Sequence, residues 1–162
     1  MAHQMKMSPY GHQVLVDREG FSLTAYQDSV GVWTIGCGHA ATSNVPPIPH
    51  EGMTITPQQA WLIFDRDTDA YEEGVTAFLK VMVTNYEFDA CVSFAFNVGL
   101  TAFETSTFLE RLNNGDRTGA LEALLWWDQP PEIIPRRQGE YVEFRDGIYL
   151  ARVDPIPPPV AA

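Results

Sequence analysis

Cysteine is scarce in this sequence: Cys37 and Cys91 are the only two in 162 residues. That excludes a disulfide-stapled scaffold, and their spacing matches no zinc or redox motif. Both read as free thiols, Cys37 beside a turn and Cys91 in a core. Long apolar runs are missing too. No stretch approaches the ~20 residues that span a bilayer, so no membrane insertion is expected. Residues 1–9 lack the apolar centre of a secretory signal, which predicts a protein made in the cytoplasm without a signal peptide. Positive charge is the third shortage. Ten Lys and Arg stand against 21 Asp and Glu, a formal net charge of −11. Nucleic acid and anionic membrane surfaces would repel such a chain, and neither is expected as a partner. What is present is an ordinary globular composition, 45% hydrophobic and 19% charged. The length suits one domain with a buried core.

The order of patterns predicts an α+β fold. Ser8-Pro9 pairs an N-cap with proline at the first helical position, and a helix over 9–18 should turn Tyr10 and Val14 inward and stop at Gly20. Alternation over 21–26 and again over 32–37 reads as a hairpin, with Asp28 and Gly31 at the first and fourth turn positions. Residues 40–53, rich in proline, read as a loop or a poor third strand. Thr56-Pro57-Gln58-Gln59 is a capping box that opens a long helix to about Lys80, with Trp61, Phe64, Thr68, Tyr71, Val75 and Phe78 on one face. The apolar run 88–98 reads as a buried central helix ended by Gly99. Shorter helices are expected over 106–113 and 116–127, and a last one from Pro135. Residues 1–8 read as a flexible N-terminal segment, 9–150 as the domain, and 151–162 as a Pro-rich extended tail. A small antiparallel sheet lobe and a larger helical lobe, joined by the long helix, would leave a cleft between them.

Three polar residues could meet in that cleft. Glu19 closes the first helix, Asp28 sits at the hairpin tip, and Thr34 lies on the returning strand, on the face opposite Trp33 and Ile35. Glycoside hydrolysis needs such a set. One carboxylic acid protonates the leaving oxygen, and a second group attacks the sugar or activates a water. Taken singly, each residue has an ordinary reading: a surface carboxylate, a turn aspartate, a strand threonine. Gly36 and Gly38 would permit turns or a close backbone approach to a sugar, and they lack the strand-to-helix context of a phosphate loop. Trp126 and Trp127 could stack on sugar, though core packing suits their spacing better, and Phe94 and Phe96 read as core.

The string as a whole decides between these readings. Glu19-Gly20, seven residues, Asp28, five residues, Thr34, then Ile35-Gly36-Cys37-Gly38-His39 resembles the phage-type lysozyme family, glycoside hydrolase family 24. The likeness extends through the capping-box helix, residues 88–99 and 106–116, and Pro135-Arg136-Arg137. It implies a lysozyme-like fold and a muramidase that cuts the β-1,4 bond between N-acetylmuramic acid and N-acetylglucosamine in peptidoglycan, with inversion. Glu19 would be the acid, Asp28 the carboxylate that stabilises positive charge at the sugar, and Thr34 the holder of the attacking water. Inversion asks for carboxyl groups roughly 6.5–9.5 Å apart. Arg136, or else Arg137, would pair with Glu19, and His39 would pair with Asp67 in a structural role rather than bind metal. No cofactor is implied, because water and protein groups suffice. The partner would be glycan strands, the protein a monomer, and a separate factor such as a holin would release it to the wall. An acidic lysozyme departs from the basic habit of many phage lysozymes, so salt should not depress its activity. A glycan- or protein-binding module without catalysis, and a chitin-directed hydrolase, are the alternatives.

Overall fold

A computed structural model describes residues 4–153; the expected extended tail from Asp154 onward lies outside them. Helix α1 (Pro9–Glu19) starts where the sequence predicts: Ser8 caps it by accepting from the Gly11 N–H, and Gly20, at φ 78°, ends it. A three-stranded antiparallel sheet follows, in the order β1 (Ser22–Gln27), β2 (Trp33–Gly36), β3 (His39–Ala40). Tyr26 pairs with Thr34 and Ser22 with Gly36, with a register shift between them. The expected third strand is split. His39–Ala40 pairs with β2, while residues near Met53 flank β1 from the other side through Ala25 N–H to Met53 and Ile55 N–H to Leu23.

The two lobes are joined by α2 (Pro57–Phe78), whose capping box is complete: Thr56 Oγ1 accepts from Gln59 N–H and the Gln59 side chain accepts from Thr56 N–H. Its 22 residues span about 33 Å. The buried face is Ala60, Ile63, Phe64, Thr68, Glu72 and Val75. Trp61 was expected inward and is instead 45% exposed, because it lies on the edge of that face, where it covers the Phe21 ring at 5.4 Å. Tyr10 likewise turns outward, 72% exposed against Tyr149. One-face spacing fixes a direction on the helix but not how wide the buried stripe is.

The core centres on α3 (Asn85–Val98), which has its own capping box from Thr84 and Glu87. Phe88, Cys91, Phe94 and Ala95 are fully buried. Around α3 pack α1, α2, α4 (Leu100–Glu104) and α7 (Ile134–Asp146). Helices α5 (Thr107–Asn113) and α6 (Arg117–Leu124) complete the lobe. Phe94 meets Phe108 edge-on at 5.4 Å, and Phe108 meets Phe144 at 5.7 Å. Edge-to-face pairs of this kind add stabilisation beyond the area they bury. Helix α6 stops short of the expected 127 because residues 125–127 tighten: Trp126 and Trp127 donate to carbonyls three residues back, Ala123 and Leu124. Of this pair, Trp127 packs on Phe94 as core, whereas Trp126 is 58% exposed under the Arg111 guanidinium. Among the described residues no helix is long and apolar enough to cross a membrane.

Candidate active site

Between the lobes lies a cleft of about 660 Å³. Glu19, Asp28 and Thr34 all line it, although they come from a helix end, a turn and a strand. Each is held differently. Glu19 Oε1 accepts from Arg136 Nη1 at 2.6 Å, which resolves the choice between the two arginines. Glu19 Oε2 rests over Gly38, where an added Cβ would stand 2.9 Å from that oxygen and 3.2 Å from Phe96. Asp28 does what a turn aspartate does with one oxygen: Oδ1 accepts from Val30 N–H at 3.0 Å and Val32 N–H at 2.8 Å. Its other oxygen makes no hydrogen bond among the described residues. Thr34, buried, donates its hydroxyl proton to Val32 O at 3.1 Å. Its lone pairs are left to accept, so it suits a water that donates to it.

The two glycines part company. Gly38 lines the cleft at φ 72°, and only a residue without a Cβ leaves Glu19 in place. Gly38→Ala should lower the rate of glycan cleavage at least tenfold and destabilise the fold by about 1–2 kcal/mol. Activity and thermal unfolding measured side by side test this, and an unchanged rate would contradict it. Gly36 does not line the cleft. It is buried against Ile55 and Ala60 at φ 63°, so its part is the turn and not the approach of sugar.

His39 and Asp67 both line the cleft, yet their geometry is that of a clasp. His39 Nδ1 lies 2.6 Å from Asp67 Oδ2, and Nε2 lies 3.1 Å from Val45 O and 2.9 Å from Pro47 O. Every partner is an acceptor, so the ring satisfies all of them only as imidazolium, donating from both nitrogens. The hydrogen bond to Asp67 raises the His39 pKa above its ordinary value, against the opposing effect of burial. The clasp pins the segment that forms one cleft wall, where Ala40, Thr42, Ser43 and Val45 stand. A raised folded pKa means stability present in full below the unfolded value, ~6.5, and lost as pH rises through the folded one. The melting temperature of the wild type should therefore fall over that alkaline-going window, and His39→Gln should remove that part of the fall.

Several members of the site gave no signal in the sequence. Phe96, expected as core, is only half-buried and forms the cleft floor with Tyr71, their rings 4.8 Å apart. Asn97 stands in the cleft wall, held from behind by Arg137 Nη2 at 2.6 Å. Arg137 itself is buried and does not line the cleft. Glu140, fully buried, accepts from Arg136 Nε at 3.0 Å, from Ser93 Oγ at 2.7 Å and from Arg137. Among the described residues no group of three or more His, Cys, Asp or Glu has metal-binding geometry.

The sequence profile of the family described as Phage lysozyme matches residues 16–140. The chain belongs to the phage lysozyme family. An endolysin of Acyrthosiphon pisum secondary endosymbiont phage 1 is 35% identical over 149 residues, covering 86% of this chain and 98% of that protein. An endolysin of Salmonella phage P22 is 33% identical over 144 residues, with the same coverage. Among solved structures, the endolysin from Escherichia coli O157:H7 phage FAHEc1 superposes with a TM-score of 0.83 at 34% identity, covering 93% of this chain and 99% of that one. The muramidase domain of SpmX from Asticaccaulis excentricus gives 0.75 at 31%, covering 86% and 97%. The lysozyme-like fold expected from the sequence is the fold observed.

Proposed function

We propose that this phage lysozyme family member is a muramidase that hydrolyses the β-1,4 bond between N-acetylmuramic acid and N-acetylglucosamine in peptidoglycan, with inversion. What carries this reading is the division of labour on Glu19. Its Oε1 is occupied by Arg136 Nη1, so a proton on the carboxyl sits on Oε2, in the cleft beside Gly38. From there it is passed to the glycosidic oxygen, because an alkoxide leaves poorly unless protonated. The uncommitted Asp28 oxygen stabilises positive charge at the sugar and orients water, and the Thr34 hydroxyl oxygen accepts a hydrogen bond from that water. Cleavage of enough strands lyses the cell, once a separate release factor has delivered the enzyme to the wall.

The test is the product. Purified peptidoglycan digested by the protein should yield new reducing muramic ends, read as fragment masses, and proton spectra in the first minutes should show the inverted anomer. Anhydro ends would mean transglycosylation, and no fragments would mean a binding module.

Among the described residues, those with charged side chains that line the cleft are Glu19, Asp28, His39 and Asp67, and no Lys or Arg lines it. With a net charge of −11, the protein gains nothing from attraction to an anionic wall. Lytic rate should stay level or rise as salt goes from low to moderate. A steep loss over that range would contradict the reading.

A further inference from the structure

We propose that Asn97 is a substrate-binding residue that reads the acetamido carbonyl of an N-acetylated sugar in the cleft; this rests on the peptidoglycan reading above. Asn97, exposed near the end of α3, lines the cleft. Its Oδ1 lies 2.6 Å from Arg137 Nη2. A guanidinium only donates, so the amide must turn its oxygen to Arg137. Flipping would set an NH₂ against a cation. Arg137 cannot swing away to permit the flip. Its Nε donates to Trp127 O at 3.0 Å, its Nη1 pairs with Glu140, and its guanidinium lies over the Phe94 ring at 4.8 Å.

The consequence is a cleft wall with fixed polarity. Asn97 Nδ2 makes no hydrogen bond among the described residues and is the free end of the amide. It offers donors and no acceptor. Sugar hydroxyls rotate to donate or accept, so a donor-only group does not select among them. It selects a group that only accepts. On an N-acetylated strand the strongest such group is the acetamido carbonyl, which every sugar carries; the ring and glycosidic ether oxygens also only accept, but far more weakly. The acetamido methyl also needs an apolar neighbour, and the cleft residues beside Asn97 are Phe96 and Val98, with the Tyr71 ring 4.8 Å from that of Phe96. A fixed donor next to an apolar wall fits both halves of the acetamido group.

The test compares glycan strands with the same strands after chemical de-N-acetylation, which replaces the acetamido group by an ammonium. Asn97→Asp keeps the shape and the contact to Arg137 but turns the free donor into an acceptor. On N-acetylated strands its kcat/KM should fall roughly tenfold, through KM rather than kcat. On de-N-acetylated strands it should fall less or rise, because a carboxylate meets the ammonium. Asn97→Ala, which removes both ends of the amide, should lose activity on N-acetylated strands only. Equal losses on both strands for either variant, at unchanged melting temperature, would overturn the assignment. A wild type that cleaves neither strand would overturn the peptidoglycan reading, and this one with it.

Discussion

Glu19→Gln is expected to slow glycan cleavage roughly 10²–10⁴-fold while leaving the fold and the grip on peptidoglycan intact. The argument runs through the surroundings of the side chain. Glutamine keeps an oxygen for Arg136 Nη1 to donate to, so the 2.6 Å contact has a successor. Arg136 also keeps Glu140 and the Ser93 carbonyl, at 3.0 and 3.1 Å, so its charge is not stranded. The Glu19 side chain is 16% exposed, and water reaches the site to replace what is lost. Stability should change by no more than about 2 kcal/mol. What glutamine cannot supply is a transferable proton on the atom beside Gly38. Release of reducing ends should therefore collapse, while co-sedimentation of the variant with insoluble peptidoglycan stays at the wild-type level. A variant that retains a tenth or more of wild-type turnover would remove Glu19 from the role of acid.

The residues proposed for that chemistry stand out in the sequence because they are local. Glu19, Asp28, Thr34 and Gly38 fall within one string, and a helix stop and a tight hairpin suffice to bring them together. Both ends of α1, the start of α2, and the hairpin turn were legible for the same reason, each being set by residues within four positions of it. What stayed hidden depends on partners far along the chain. Arg18 lies under Ser93 and Glu143, and Glu72 accepts from the Met7 N–H, across separations of 65 residues or more. On composition alone such charges read as solvated surface. Asn97 was hidden for a related reason. It sits at the end of an apolar run that reads as core, and only the return of α7 supplies the arginine that fixes its amide.

The largest effect on stability is expected from Glu140→Gln. Glu140 is fully buried and makes no direct contact with the cleft, yet it braces both arginines behind it: Arg136, which holds Glu19, and Arg137, which holds Asn97. Burial opposes its charge, but Arg137, Arg136 and Arg18, with the Ser93 hydroxyl, outweigh that and hold its carboxyl below the usual range. Removing the charge leaves buried guanidinium groups under-compensated, a loss of about 3–5 kcal/mol. For a chain of this size that lowers the melting temperature by roughly 6–20 °C. The pH dependence separates this from a mere packing defect. A depressed folded pKa contributes stability above the unfolded value, ~4.3, and loses it as pH falls through the folded one. The gap between wild type and Glu140→Gln should therefore be widest near neutrality and close toward acid. Glu143, one turn further along α7, behaves in the opposite sense. Burial pushes its carboxyl up to about 7, although Arg18 Nη1 lies 2.6 Å away. The stability it contributes is present at acid pH and is lost as pH climbs through that value. Glu143→Gln should gain on the wild type as pH rises, where Glu140→Gln falls further behind. Thermal unfolding of the three proteins across the acid-to-neutral range reads both slopes, and parallel curves would refute the claim that one carboxyl is held below the usual range and its neighbour above it.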